Sequence, residues 1–174
     1  MNKIKIFFKS ETLDFEKYKE YIWNILTCKK IMHRKPFKIA FIGGGVNSAI
    51  GEVHKAASQM DGYFQLVAGA FSSHPEINKQ TAETWNVSGE RTYSNYKELL
   101  EKEYGKIDAV VVLVPTDLHA EISIAALEKG IPVICEKSLA TTVEEGFKIA
   151  SAVNNSKGFF CTTYNYAGYP MIRE

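Results

Sequence analysis

The stretch Phe41–His54, FIGGGVNSAIGEVH, sets three consecutive glycines directly behind an apolar run and withholds the next glycine until Gly51. A turn that cradles phosphate between a strand and a helix reads G-x-G-x-x-G. Its first glycine permits the tight turn, its second lets the backbone approach a pyrophosphate, and the helix mouth adds unpaired amides and a positive dipole end. Here Gly43 and Gly45 fill the first two slots and Ser48 the third. On the tripeptide alone, a plain turn that needs positive φ explains the glycines equally well. The sequence on either side decides between the two.

From Phe37 onward, short apolar runs alternate with helical periods. FKIAFI, YFQLVAGAF (Tyr63–Phe71), DAVVVLV (Asp108–Val114), IPVICE (Ile131–Glu136) and GFFCTTY (Gly158–Tyr164) read as strands. The third is almost wholly apolar and β-branched, as expected of a strand covered on both faces. Helices are predicted from about Ile50 to Met60, over Pro75–Trp85 with proline in the first turn, behind a Ser94 or Asn95 cap as far as Gly105, over Asp117–Gly130, and over Thr142–Ser156. A brief extended piece near Arg91 precedes the third helix. Strand and helix in such alternation require right-handed crossovers and a parallel sheet with helices on both faces, a doubly wound α/β fold. Residues 1–36 read as an N-terminal extension: KIKIFF as a short strand, Phe15–Leu26 as an amphipathic helix, and CKKIMHRKP as a linker. The predicted organisation is this extension, a dinucleotide-binding domain over 37–163, and a hinge over 164–174 that opens a second domain.

In that context the glycine loop leaves the first strand of the α/β region near the topological switch point, where ligands bind outside the carboxyl ends of the strands. The reading that follows is a dinucleotide loop with about three inserted residues and Gly51 as the displaced helix-packing glycine. Val46, Asn47, Ser48 and Ala49 then lie over the phosphates, with Ile50 opening the helix and the Asn47 and Ser48 side chains as donors. The second checkpoint is the end of strand two, GAFSSHPE, where NAD enzymes carry an acidic residue for the adenosine ribose. Ser72, Ser73 and His74 stand there instead; the first carboxylate is Glu76 and no arginine is close. NAD and NADP both remain open, and a serine turn capping the next helix explains the same residues.

The bulk composition narrows the class. The chain has 174 residues, 45% of them hydrophobic, with 21 Lys+Arg against 20 Asp+Glu for a net charge of +1. That is ample for a core and offers no basic surplus for nucleic acid. Cys28, Cys135 and Cys161 are far apart with no C-x-x-C, so reduced thiols are expected and no metal site. No apolar stretch is long enough for a bilayer, and the N-terminal run is too short for a signal core. The expectation is a cytoplasmic protein without a membrane partner.

Further motifs stand at the ends of later strands: PTDLH (Pro115–His119), Glu136-Lys137, and TTYNYAGYPMIRE after the fifth. Together with GGG…GEVH, they resemble the nucleotide domain of the glucose-fructose oxidoreductase, inositol dehydrogenase and MocA family over residues 37–174. The likeness is greatest to sugar and polyol dehydrogenases whose loop reads GGG-x-x-S-x-x-G-x-V-H. It implies a Rossmann fold, NAD or NADP as cofactor, and hydride exchange with a small-molecule sugar or polyol. It implies that Val114, Pro115, Thr116 and His119 line the nicotinamide side, and that Glu136 and Lys137 form the E-K-P motif with Lys137 as the catalytic ammonium. Cofactor or substrate contacts around Asn165 also follow, although an aromatic hinge of Tyr164, Tyr166 and Tyr169 explains that segment nearly as well. Alone, Lys137 would read as a solvated lysine.

Two positions depart from the family pattern. Ser138 replaces the motif proline, so a cis peptide is not assured. Asp117 replaces an asparagine and is expected to cap the following helix. His54 is expected to be buried and hydrogen-bonded, and Cys135 and Cys161 to be small apolar strand residues. The family further implies a second, substrate-binding domain and homo-oligomers at full length, with the 174-residue chain poorly active alone. A non-catalytic dinucleotide-binding module, or a relative that uses NAD transiently, is the alternative.

Overall fold

The apolar runs pair edge to edge because each carries backbone donors and acceptors that burial leaves no other way to satisfy. The computed structural model describes residues 35–173; the strand and helix predicted before Lys35 lie outside them. The strands are β1 (Phe37–Gly43), β2 (Phe64–Ala70), β3 (Ala109–Leu113), β4 (Val133–Glu136) and β5 (Phe160–Thr163). All pair in parallel, in the order β2-β1-β3-β4-β5. The helices are α1 (Ala49–Met60), α2 (Pro75–Thr84), α3 (Tyr96–Glu103), α4 (His119–Glu128), α5 (Val143–Ser156) and the short α6 (Pro170–Arg173). The chain leaves β1 toward β2 on one side and later returns to place β3 on the other, so the switch point lies at the carboxyl end of β1.

Side chains alternate across the sheet and build two cores. Ala40, Ile42, Val110 and Val112 face Leu99, Leu100, Ile122 and Leu127 from α3 and α4. Ile39, Phe41, Val111 and Leu113 face Ala82, Trp85 and Val87. Trp85 stands edge-on to Phe41 and Phe71, with ring centres 6.1 and 5.5 Å away, and its Nε1 donates to Glu52 Oε1 at 3.2 Å. Every residue of β3 is buried, as its β-branched composition requires.

Local chemistry sets the ends. Asn95 is the cap of α3, accepting the Glu98 amide at 3.0 Å, and Thr142 and Glu145 form a reciprocal capping box on α5. Asp117 does not cap α4. It lies inside a 3₁₀ turn, Thr116–Leu118, that runs straight into the helix, so no extended cap position exists there. The brief extended piece beyond α2 shrinks to one parallel bridge, Gly69 to Thr92, beside a Tyr93 amide that donates to Gly69 O at 2.8 Å.

A buried acid fastens that edge. Glu103, 1% exposed, accepts Arg91 Nε at 3.0 Å and Tyr93 Oη at 2.7 Å, and pairs with a second Arg91 nitrogen. Burial works to raise the Glu103 carboxyl, but Arg91 and Tyr93 together hold it below its ordinary value. The same burial and the facing carboxylate push the Tyr93 phenol up to about 12.

Candidate dinucleotide site

The loops leaving β1, β2 and β3 converge on a cleft of about 520 Å³ at the carboxyl edge of the sheet. Its floor is the glycine loop. Gly43 and Gly44 adopt φ of +82° and +71°, a region in which a side chain is strained. A Cβ on Gly51 would lie 1.8 Å from Gly44 O, so the first turn of α1 rests directly on the loop backbone. Gly51 is therefore the helix-packing glycine of the displaced motif, and Gly44, absent from the alternating template, is the residue it packs against.

The loop engages some of its own donors. The Gly45 amide donates to Phe71 O at 3.1 Å, the Val46 amide to Thr81 Oγ1 at 3.1 Å, and the Ser48 amide to Gly45 O at 2.7 Å. The amides of Asn47, Ala49 and Ile50 have no partner among the described residues. Ser48 precedes α1 without a side-chain cap bond. Of these three residues Asn47 lines the cleft, while the amide of Gly45, which also lines it, is already engaged.

Of the residues expected from the sequence, the cleft brings together Gly43, Gly45, Asn47, Ser48, Ser72, Ser73, Val114 and Pro115. Val46 turns away and packs into the second core. Ala49, Ile50, His74, Thr116 and Lys137 are not among the residues that line it. Ser72 Oγ accepts the His74 amide at 3.1 Å, and α2 has no side-chain cap, so this serine makes a local turn and not a helix cap. The far wall adds Ser94, Asn95, Tyr96, Leu118 and Ile122, which the sequence reading missed. Leu118 and Ile122 are four apart on one helical face, a signal that was present; Tyr96 carried none.

His119 of the PTDLH motif is held by the ends of two strands. It is 1% exposed and outside the cleft lining. Its Nε2 lies 2.9 Å from Val114 O and its Nδ1 2.7 Å from Ser138 O. The ring thus stands between two carbonyls that follow β3 and β4, and whichever nitrogen carries the proton donates to the carbonyl it faces. His119→Leu keeps the volume and removes both contacts. It is expected to lower unfolding free energy by about 1–2 kcal/mol, since a part-buried carbonyl loses its donor; chemical denaturation checks this.

Glu136, at the end of β4, is 8% exposed and also outside the cleft. Its Oε1 accepts Thr163 Oγ1 at 2.7 Å and stands 2.8 Å from His54 Nε2, and its Oε2 accepts the Lys137 amide at 3.0 Å. Burial raises its pKa, but the Thr163 hydroxyl, the His54 ring and the Lys137 amide hold it below the ordinary carboxylate value. His54 is thus the hydrogen-bonded histidine expected. Lys137 follows at the exit of β4 with an exposed side chain, and its ammonium has no ion pair or hydrogen bond among the described residues. The Lys137–Ser138 peptide is cis with serine in the proline position. Asn165 opens a 3₁₀ turn beside exposed Tyr164 and Tyr166, away from the cleft lining. The described residues contain no group of three or more His, Cys, Asp or Glu fit to hold a metal ion, and no helix long and apolar enough to cross a membrane.

This geometry agrees with comparison against known proteins. The family described as an oxidoreductase family with an NAD-binding Rossmann fold, GFO/IDH/MocA, matches residues 37–164. The chain belongs to this family. Among its GFO/IDH/MocA relatives, an uncharacterized oxidoreductase, YfiI of Bacillus subtilis, is 36% identical over 144 residues, 80% of this chain and 37% of the relative. Levoglucosan dehydrogenase of Pseudarthrobacter phenanthrenivorans is 30% identical over 77% of this chain and 34% of its own length. Among solved structures, an inositol dehydrogenase homolog from Azotobacter vinelandii, complexed with NADH and myo-inositol, superimposes with a TM-score of 0.76 at 37% identity. It is matched over 80% of this chain and 38% of that one. The chain therefore spans little more than a third of the length of these relatives.

Proposed function

We propose that this domain binds NAD or NADP across the carboxyl ends of β1, β2 and β3, within an oxidoreductase that exchanges hydride with a secondary alcohol or ketone of a sugar or cyclitol. The observation that carries the reading is the seat of Gly51 on Gly44, which rests the first turn of α1 on the glycine loop that lines the cleft. The residues fit a diphosphate: a backbone floor with no Cβ at Gly43 and Gly44, and unpaired amides at Asn47, Ala49 and Ile50 beside a helix mouth. Ser72 and Ser73 at the end of β2 and Val114 and Pro115 beyond β3 line the same cleft, which supports reading them as the ribose and nicotinamide walls.

When bound, the nicotinamide supplies the hydride acceptor or donor. The chain orients the reactants and manages charge on oxygen. Lys137 is the group that manages this charge. Its unpaired ammonium at the mouth of β4 hydrogen-bonds the reacting oxygen and stabilises alkoxide character. Glu136 and His119 act through it, fixing the backbone on either side of its side chain. The names of the levoglucosan and inositol relatives support the sugar and cyclitol class. Turnover is proposed for a protein of the relatives' full extent. Calorimetric titration with NAD, NADH, NADP and NADPH tests the binding step. Saturable binding of at least one is expected, and no heat from any of them at millimolar concentration would overturn the reading.

A further inference from the structure

Resting on that reading, we infer that His54 is a positioning residue: through Glu136 it holds the exit of β4, where Lys137 stands, at a fixed place relative to the diphosphate seat at the mouth of α1. α1 joins β1 to β2 in one half of the sheet, and Lys137 leaves β4 in the other half, with β3 between. A helix uses its backbone hydrogen bonds on itself, so side chains must set its spacing from a strand. Apolar packing leaves that spacing loose here. A hollow of about 200 Å³ on this side of the sheet is lined by Ile39, Phe41, Val111, Ile134, Ala57 and His54. His54 lies three residues beyond Gly51, one turn along the same helix face. α1 is therefore seated on Gly44 at its first turn and tied to Glu136 one turn later.

The bonding fixes how the carboxylate points. An ionised carboxylate only accepts, so His54 Nε2 carries the hydrogen it shares with Glu136 Oε1. Thr163, opposite Glu136 on β5, gives its hydroxyl hydrogen to the same oxygen, and Oε2 is left to the Lys137 amide. α1, β4 and β5 thus meet at one buried acid. The sheet does not need it there, because β4 already pairs with β3 and β5 through its backbone. A well-packed apolar side chain often serves a core as well as a buried ion does. What the carboxylate adds is direction, since it fixes the backbone from which the Lys137 side chain departs.

The test is NMR of the 174-residue chain in wild type, His54→Leu and His54→Gln, the glutamine amide standing in for Nε2–H. Hydrogen exchange at the Lys137 amide is expected to quicken by about tenfold or more with leucine and to return toward wild type with glutamine. The amides of Val110–Val112 in β3 should change less. At saturating NADH, cross-relaxation between the Lys137 side chain and the nicotinamide ring is expected in wild type, lost with leucine and regained with glutamine. Unchanged Lys137 exchange in His54→Leu overturns the inference and leaves the binding reading intact. So does acceleration spread equally over β3, or a Lys137–nicotinamide contact that is absent from wild type or survives the leucine. Failure of NADH to bind wild type overturns the two together.

Discussion

Replacing Gly51 by alanine is expected to lower stability by about 3 kcal/mol, the upper part of the range for overpacking, and to abolish dinucleotide binding. The added methyl would meet Gly44 at 1.8 Å from its oxygen, 2.5 Å from its carbonyl carbon and 2.9 Å from its Cα. All three are backbone atoms, so no rotamer change relieves the overlap. Gly44 is itself held at positive φ, with Leu113 side-chain atoms 2.6 and 3.0 Å from where its own Cβ would be. Either α1 tilts outward or the loop is displaced toward the cleft, and each carries the Asn47, Ala49 and Ile50 amides away from a diphosphate. Urea denaturation reads the first effect and calorimetry with NAD the second. Gly89 is the steric control: its φ is not positive and a Cβ there meets nothing within 4 Å.

The second large effect is expected at Glu103. Glu103→Ala leaves the Arg91 guanidinium and the Tyr93 hydroxyl without their acceptor in a buried corner. Breaking a buried pair by removing one partner costs about 3–5 kcal/mol; the 29% exposure of Arg91 lets water recover part of it and puts the expectation near the lower figure. The pH dependence has a definite sign. The folded-state pKa of Glu103 lies below the ordinary 4.5, so its stabilisation is fully present above 4.5 and is lost as pH falls through the folded value. Glu136 contributes in the same sense. Wild-type unfolding free energy should therefore be flat above about pH 5 and fall below it, and the Ala variant should show a shallower acid decline. An equally steep decline in the variant would remove Glu103 from the account.

The sheet was legible because its composition leaves little choice. A run such as Val110–Leu113 is too apolar and too β-branched for anything but a strand covered on both sides. Gly51 was legible because a packing glycine stays a glycine even when an insertion moves it. What escaped were features made by tertiary juxtaposition. His119 reads as a cleft residue within its motif, yet two carbonyls from separate strand ends claim its ring. Asp117 has the chemistry of a cap, but the 3₁₀ turn around it removes the geometry a cap needs. Tyr96 reaches the cleft from the first turn of α3, beside Ser94 and Asn95, and its hydroxyl is tied to Glu121 on α4. The G-x-G template drew attention to Gly45 and away from Gly44, although Gly45 gives its amide to Phe71.

The cleft without ions has a consequence for how a ligand would be caught. A diphosphate there would be met by peptide dipoles at contact range, since no charged side chain stands among the described residues that line the cleft. Amides and a helix mouth act mainly at short range, so the lining itself adds little steering of an anion from bulk water. By the same token it has little for dissolved electrolyte to weaken once the ligand is seated.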